Sequence, residues 1–426
     1  MKKNIVFAFV AALVMAACSN QETIETAPAV PTAKTAQSNT RSYDEALKIA
    51  ENAIGMLEDS KSTTRSGESC RKIDLSENKV IMRDAKTRGE SDGSDSLIYV
   101  FNFENNEGFA LVSASKNTEG LLAVTEQGHC DPATPSGIDG FDMFVDMAKE
   151  YVLAGMNSGS FEEIKDSTVY LSIYEKGPLV SVKWGQNKAE GEFCRNKKAG
   201  CANTAMAQIM SYYEYPTSII LTYNNNDNIN LNWNKIKSHN TEHLSTYCSD
   251  LSTHHSISHL LRELGKRDWS YYYTKEETNG GKTYTRTDIE TYAKPTFENL
   301  GYSFKDFRDY DGSFVRNELR NNHIILISGE LADETGHSWI VDGYRRELGT
   351  VFEMKKTNNS GWEYTGISYP FDNNYNHFNW GWYGANNGYF LEGVYNTLNA
   401  YTYDGNKNYY KFNFRYSVRV ASAYHN

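Results

Sequence analysis

Long hydrophobic runs are missing from this chain of 426 residues beyond its first 18 positions. A membrane-spanning helix needs about 20 consecutive apolar residues, so none is predicted in the remainder. Proline is scarce, at 8 residues, and the hydrophobic content of 39% is that of a globular protein. Positive charge is not in excess either, because 43 Lys and Arg stand against 54 Asp and Glu, for a net charge of −11. Without a basic stripe, nucleic acid is not an expected partner.

Cysteine is also scarce, and none of the six residues is arranged as a CxxC pair. A structural zinc ribbon is therefore not predicted, and we expect neither a metal nor another cofactor. Two cysteines, discussed below, have assignments of their own. The other four could form three alternative disulfide pairings in an oxidising compartment or remain free thiols, and the sequence does not choose: Cys70, Cys130, Cys194 and Cys248.

The first 18 residues are typical of an export signal of the lipoprotein type. Two lysines precede an apolar run of roughly 13 residues, too short to span a bilayer, and Ala16-Ala17-Cys18 follows. We expect residues 1–17 to be removed and Cys18 to carry a lipid anchor. Residues 18–41, rich in Thr, Ala, Ser and Gln, would then tether the protein to the bacterial envelope or outer surface. An ordinary secretory signal with an incidental cysteine is the alternative.

Two segments of different character follow the tether. Residues 42–170, the N-terminal module, combine helical periodicity near both ends with short β-type runs between them, which predicts a small α+β unit. Glycine and serine at 157–160 indicate an exposed boundary. Residues 176–426, the C-terminal domain, contain a strongly helical segment near position 201 and end in a β-rich third.

Cys201 stands at the start of that helical segment. Ala202, Ala205, Met206 and Ile209 recur at i, i+3, i+4 and i+7, which predicts a buried helix whose first turn carries the sulfur. The dipole and free N–H groups of a helix N-terminus lower the pKa of a thiol. A thiolate so placed can attack a carbonyl carbon if an imidazole reaches it. Taken alone, a cysteine on an apolar helix is more often part of the core.

Three other segments supply the partners that such a thiolate needs. His337 follows a glycine at the start of a predicted strand and is the candidate base. Asn379 is a candidate to accept the other ring N–H of His337, and Trp380 or Trp382 could shield that bond from water. Gln186 offers a side-chain N–H₂ beside a backbone N–H at the helix start, which are the two donors of an oxyanion hole.

These four segments together resemble the streptopain family of bacterial cysteine peptidases. The resemblance is carried by Trp184-x-Gln186, Gly200-Cys201-x-x-Thr204-Ala205-x-Ala207-Gln208-Ile209-Met210, Gly336-His337-x-Trp339-x-Val341-Asp342-Gly343-Tyr344, and His377-x-Asn379-Trp380-Gly381-Trp382. His337 follows Cys201 by about 136 residues, within the roughly 130 to 150 of papain-like enzymes. Two positions depart from the family pattern, namely Ala202-Asn203 in place of Val-Ala and Tyr383 in place of Gly.

The resemblance implies an α+β, papain-like cysteine peptidase fold of two subdomains, preceded by a small α+β pro-domain. It also implies endopeptidase activity on proteins or peptides, with Cys201 as nucleophile, His337 as base and acid, and Gln186 in the oxyanion hole. The stretch Asn379 to Trp382 would pack behind the histidine. Residues 108–126 are similar, more weakly, to the family's inhibitory pro-domain, which implies a zymogen whose own N-terminal module is its inhibitor.

Other interpretations remain open at this point. The chain could be a catalytically decayed peptidase-like surface protein with a binding or inhibitory role, and the N-terminal module could be a permanent structural or adhesive unit. A metal hydrolase built on His254, His255 and His259 is a more distant alternative. These histidines lack the glutamate of HExxH, and we expect them to form a solvated helix face.

Overall fold

The structure is a computed structural model, and it describes most of the chain from residue 39 onward. The N-terminal signal, all but the last three residues of the predicted tether, Cys18, Cys70 and Cys248 lie outside the described residues. The described ranges are 39–59, 71–82, 96–157, 165–186, 190–194, 197–222, 226–238, 251–265, 270–275, 282–331, 336–357, 361–395, 401–403, 409–411 and 416–425.

Helices and strands are mixed along the described chain. The helices are α1 (Tyr43–Asp59), α2 (Asp139–Met156), α3 (Cys201–Tyr213), α4 (Trp233–Ser238), α5 (Leu251–Leu264), α6 (Ile289–Asn299), α7 (Gly312–Arg320) and α8 (Glu392–Tyr395). The strands are β1 (Ile73–Met82), β2 (Ser96–Phe103), β3 (Phe109–Ser113), β4 (Leu121–Thr125), β5 (Lys165–Lys176), β6 (Ser218–Leu221), β7 (Asp227–Asn230), β8 (Ser270–Lys275), β9 (Lys282–Thr287), β10 (Ser303–Asp309), β11 (Ile324–Leu331), β12 (Gly336–Thr357), β13 (Gly361–Asn379), β14 (Gly388–Leu391), β15 (Tyr401–Tyr403), β16 (Tyr409–Lys411) and β17 (Tyr416–Tyr424).

One antiparallel sheet runs through both predicted domains. Its strand order is β1-β2-β3-β4-β14-β13-β12-β11-β17-β10, and β5 pairs with β12 outside this order. The junction is the pairing of β4 with β14, where Thr125 lies opposite Gly388 and Ala123 opposite Phe390. Gly388 is required there, since a Cβ would lie 2.2 Å from the Val124 carbonyl oxygen. The N-terminal module therefore adds its strands directly to the sheet of the C-terminal domain.

Two hydrophobic cores lie on opposite faces of strand β11. Successive side chains of a strand point to opposite faces, so Ile325 and Ile327 join the core around α1 and α2, which extends to Trp380. Ile324 and Leu326 join the core around α3, α5 and α6. This double burial accounts for the unbroken apolar run in β11. The first core is shared by the N-terminal module and the C-terminal domain.

The predicted α+β class is confirmed, as are the helical segments at both ends of the N-terminal module and the β-type runs that became β2, β3 and β4. Strand β5 contains both the predicted end of the N-terminal module, at residue 170, and the predicted start of the C-terminal domain, at residue 176. This strand pairs with β12 over its whole length, from Tyr344 opposite Lys176 to Met354 opposite Lys165. In the sheet, all of β5 therefore goes with the C-terminal domain.

Candidate active site

Cys201 is the first residue of α3, as predicted. Gly200 precedes it with φ 86°, a left-handed conformation that favours glycine, and its carbonyl accepts the Thr204 N–H at 3.1 Å. The next ten residues of the helix are all buried, while Cys201 itself is half-buried. The sulfur thus lies at the N-terminus of an almost fully buried helix, where free N–H groups favour the thiolate.

His337 is the second residue of β12, where it lies opposite Gly329 of β11. The strand start needs glycine, because a Cβ on Gly336 would lie 2.6 Å from the Gly329 carbonyl oxygen. The imidazole is buried, and its Nε2 donates to the carbonyl oxygen of Trp380 at 3.1 Å. Because Nε2 is committed to that carbonyl, Nδ1 is the nitrogen left to exchange a proton with a neighbouring thiol.

The side chains of Cys201 and His337 lie close enough to shift each other's pKa. Burial would by itself raise the pKa of the Cys201 thiol, but the charge and hydrogen bond of His337 and the backbone N–H of Ser338 outweigh it and lower that pKa. Burial would likewise lower the pKa of His337, yet the thiolate, Asp139 and the Trp380 carbonyl raise it. The two shifts have opposite signs, as expected of a thiolate–imidazolium pair.

Asn379 does not hold the histidine, so this predicted role is wrong. Its Oδ1 accepts from Gln208 Nε2 at 3.0 Å and from the Gly381 N–H at 3.2 Å, and its Nδ2 donates to the Val182 carbonyl at 2.8 Å. The amide is 2% exposed. Its hydrogen bonds tie α3, the Val182 segment and the start of the loop 380–387 together. The neighbouring backbone carbonyl of Trp380 orients the imidazole instead.

Of the two tryptophans, Trp380 is the one that packs beside the imidazole. Its ring is fully buried, 6.5 Å from the His337 ring and 5.0 Å from Trp339 between centroids. Its Nε1–H donates to the Asn386 carbonyl at 2.9 Å, which fixes the ring. Trp382 is half-buried at the border of the first core. The predicted shielding of the histidine therefore comes from Trp380, and Trp382 has a peripheral place.

Gln186 carries a buried side-chain donor, and its backbone is linked to the segment that precedes Cys201. Its Nε2 is buried and finds no acceptor among the described residues, while its backbone carbonyl accepts the Ala199 N–H at 2.6 Å. This bond links the Gln186 segment to the residues just before Cys201. A buried N–H₂ without a partner is costly unless a ligand completes it. A buried N–H₂ group in this state is available to donate to a ligand, which is what the predicted oxyanion-hole role requires.

Asn203, one of the two departures from the family pattern, does not line the cleft. It is 3% exposed, and its Nδ2 donates to the Ala199 carbonyl at 2.6 Å. Ala199 therefore receives two restraints, one from Asn203 and one from Gln186. Asn203 stabilises the turn that presents Cys201.

Helix α2 of the N-terminal module lies against His337 and Trp380. A Cβ on Gly140 would lie 2.5 Å from His337 Cδ2 and 2.8 Å from the six-membered ring of Trp380. The next residue, Phe141, packs edge-on against Trp380 at 6.4 Å. Sequence reasoning missed Gly140, because nothing local marks a glycine near a helix start as an interdomain contact.

A buried histidine, His377, faces carboxylates of both domains. His377 Nδ1 lies 2.6 Å from Asp342 Oδ1, and His377 Nε2 lies 3.7 Å from Glu126 Oε1 of the N-terminal module. Asp342 Oδ2 also accepts the Val180 N–H at 3.0 Å. Burial opposes the charged imidazole, but Asp342 and then Glu126 raise the pKa of His377 to about 10. The sequence analysis quoted Asp342 and His377 only as markers of a motif.

The described residues include two of the four unassigned cysteines and the side chains of two of the three clustered histidines. Cys130 and Cys194 are buried free thiols, and burial raises the pKa of each to about 12. His259 stacks on Phe193 at 4.3 Å between ring centroids, and His255 packs edge-on against the same ring at 5.1 Å with its side chain 41% exposed. The side chain of His254 lies outside the described residues. No cluster of three or more metal-ligating side chains occurs in the described part of the chain. None of the described helices is both long and apolar enough to cross a membrane.

Comparison with known proteins gives matches over both domains. Residues 182–390 match the Peptidase C10 family, and residues 34–152 match the Spi protease inhibitor family. Streptopain of Streptococcus pyogenes is 24% identical over 338 residues, covering 71% of this chain and 75% of that protein. The thiol protease/hemagglutinin PrtT of Porphyromonas gingivalis is 24% identical over 362 residues, covering 74% of this chain and 36% of that protein. Among solved structures, a fragment of Prevotella intermedia prointerpain A matches with a TM-score of 0.48 and 17% identity, over 81% of this chain and 98% of the fragment.

The helix-borne thiol, the buried imidazole and the C10 match define a papain-like cysteine peptidase. The inhibitor-type module in front of the peptidase domain narrows this class. The chain belongs to the streptopain family of cysteine peptidases and carries that family's N-terminal pro-domain.

Proposed function

We propose that the protein is an exported cysteine endopeptidase, made as a zymogen, that hydrolyses peptide bonds of proteins through a Cys201–His337 thiolate mechanism. The observation that carries the proposal is the meeting of Cys201, at the start of α3, with the buried imidazole of His337, by which the pKa of Cys201 is lowered and that of His337 raised. A decayed peptidase scaffold would have no need to keep this pair together with an unpartnered Gln186 donor.

In the proposed reaction the Cys201 sulfur attacks the carbonyl carbon of the scissile bond, and the carbonyl π electrons move to oxygen. Gln186 Nε2 and the Cys201 backbone N–H donate to that oxyanion. His337, protonated in the ion pair, gives its proton to the nitrogen of the leaving amine as the C–N bond breaks. Water then attacks the thioester with His337 as base, which releases the acid product and regenerates the thiol.

The zymogen part of the proposal is supported by the position of α2. Gly140 brings the helix backbone against His337 and Trp380, and the shared sheet and core hold the module in place. A substrate chain needs room beside the imidazole, and α2 occupies space there. The Cys201–His337 pair is already assembled under this cover, so activation would require removal of the module and no rebuilding of the pair.

Export and lipid anchoring rest on the sequence signal at residues 1–18. We expect labelled acyl chains to be incorporated at Cys18 and incorporation to stop in Cys18→Ala. Equal incorporation in both proteins would leave only an ordinary secretory signal.

The peptidase proposal is tested by incubating the full chain, so that the N-terminal module can be removed by self-processing, with a denatured protein as substrate. We expect cleavage by the wild type and none by Cys201→Ala. The matched control is Cys194→Ala, since Cys194 is a buried thiol with its pKa raised to about 12. This variant should keep the activity. Cleavage that persists in Cys201→Ala would contradict the mechanism, and equal losses in both variants would point to a general effect of removing a thiol.

A further inference from the structure

Tyr383 has a backbone conformation that tyrosine rarely adopts. Its φ is 60°, and among the described non-glycine residues with positive φ it is the only aromatic one. A bulky side chain in this region is strained, and such strain persists only where the surroundings hold it. The streptopain pattern has glycine here, which adopts this conformation without strain. The chain has therefore placed a large ring where a smaller residue would be easier to accommodate.

The Tyr383 ring lies directly against Gly185. A Cβ on Gly185 would lie 2.1 Å from the Tyr383 Cζ and within 2.5 Å of both neighbouring ring carbons. The Tyr383 N–H also points to the Trp184 carbonyl, at 3.5 Å. Backbone and side chain of Tyr383 thus both contact the segment that ends in Gln186. Gly185 leaves the ring its space, so the two positions are matched.

Tyr383 connects two groups that flank the departing half of a substrate. Its loop begins at Trp380, whose carbonyl holds His337, and its ring touches the residue before Gln186. During acylation the oxyanion faces Gln186 and the leaving nitrogen faces His337. The residue after the scissile bond therefore leaves the site between these two groups. Tyr383 is half-buried, so part of its surface is open to a ligand.

We propose that Tyr383 is a specificity-determining residue that narrows the subsite for the residue after the scissile bond, so that small residues are favoured there. The inference rests on the proposed peptidase function and adds a substrate preference to it. A pocket that differs by a few carbon atoms changes discrimination by about 10- to 200-fold. Removing an entire ring should therefore change the preference by about tenfold or more.

The experiment uses the full chain, incubated beforehand so that the N-terminal module can be removed by self-processing. The substrates are internally quenched peptides that differ only in the residue after the cleaved bond, which is glycine, alanine, leucine or phenylalanine. The variants are Tyr383→Gly, Tyr383→Ala and Tyr383→Phe. Tyr383→Ala removes the ring but keeps a side chain at positive φ, so it separates lost bulk from relieved strain. Tyr364→Ala is the control, because Tyr364 is 50% exposed on β13. The readout is the ratio of kcat/KM for phenylalanine to that for glycine, which cancels differences in the amount of active protein.

We expect this ratio to rise about tenfold in Tyr383→Gly and Tyr383→Ala, and to stay within about twofold of wild type in Tyr383→Phe and Tyr364→Ala. An ester with the same acyl group forms the same acyl-enzyme as the peptide. The rate at which this acyl-enzyme is hydrolysed should be similar in wild type and variants, because the leaving group has already departed at that step. Cleavage by wild type that disappears in Cys201→Ala establishes the proposed function first. An unchanged ratio in both ring-less variants would then overturn the assignment of Tyr383 alone, as would a rise in Tyr364→Ala of the same size.

Discussion

Gly140 brings the backbone of α2 against His337, and Gly140→Ala should loosen the N-terminal module. The new Cβ would lie 2.5 Å from His337 Cδ2 and 2.8 Å from Trp380 Cε3 and Cζ3. Neither ring can move aside easily. His337 is held by the Trp380 carbonyl at 3.1 Å, and the Trp380 Nε1–H is held by the Asn386 carbonyl at 2.9 Å. The helix must therefore withdraw.

The size of the expected loosening follows from the cost of inserting a methyl group where the atoms are already in contact, which is about 1–3 kcal/mol. Gly→Ala inside a helix would otherwise stabilise by roughly 1 kcal/mol, but that gain belongs to the helix whether or not it touches His337. The clash acts on the attachment of α2 alone. A shift of about 1–3 kcal/mol raises the ratio of open to covered sites by about 5- to 150-fold.

The rate of Cys201 alkylation by iodoacetamide in the full chain measures this ratio. Cys130 and Cys194 contribute little near pH 6, because burial raises the pKa of each to about 12. Peptide mapping after alkylation assigns the label to individual cysteines. We expect Cys201 to react at least about fivefold faster in Gly140→Ala than in wild type.

Gly55→Ala is the matched control. It also changes a helical glycine of the N-terminal module, but nothing lies within 4 Å of the added Cβ. Its alkylation rate should equal that of wild type. Equal rates in Gly140→Ala and wild type would refute the view that α2 covers the pair, and equal acceleration in both variants would assign the effect to helix propensity.

Three further outcomes are expected. His337→Ala should move the midpoint of the pH profile of Cys201 alkylation upward, because the thiol then keeps the pKa-raising effect of burial without the opposing imidazolium; an unmoved midpoint would contradict the ion pair. His377 stabilises the fold below its ordinary pKa of 6.5 and loses this effect as the pH rises toward its folded value of about 10. Glu126→Gln lowers the folded pKa of His377, so in urea denaturation series the loss should end at lower pH and be smaller in total; superimposable series would argue against the bridge. Asn379→Ala leaves a buried amide and a carbonyl without partners and should lower the free energy of unfolding by about 1–3 kcal/mol for each. The Cys201 alkylation midpoint should stay in place, and a large upward shift would restore Asn379 to the orienting role.

Local patterns in the sequence were sufficient to predict the main helices and strands, the family and the candidate residues for the proposed chemistry. The apolar period after Cys201 predicted α3, since helix burial repeats every three to four residues, and the four ordered segments predicted the family. The pairing of Cys201 with His337 followed from the residue types that acyl transfer requires. These features depend on short stretches of chain or on chemical necessity, so one sequence carries them.

Contacts between distant segments were decided only by the tertiary structure. Asn379 and the Trp380 carbonyl are adjacent in sequence, and the path of the chain after β13 determines which of them meets His337. A local pattern cannot supply that information, because side chain and carbonyl at this turn could each have faced the imidazole.

The same limit applies where the two domains meet and at Tyr383. The sequence shows a glycine in α2, a glutamate after β4 and an unusual tyrosine, but it gives no distances between them and the catalytic pair. The structure places Gly140 on His337, Glu126 beside His377 and Tyr383 on Gly185. The sequence by itself thus determined the family and predicted which groups would perform the proposed chemistry. Tertiary packing decided which groups orient them, cover them and limit access, because those roles depend on steric fit between segments far apart in the chain.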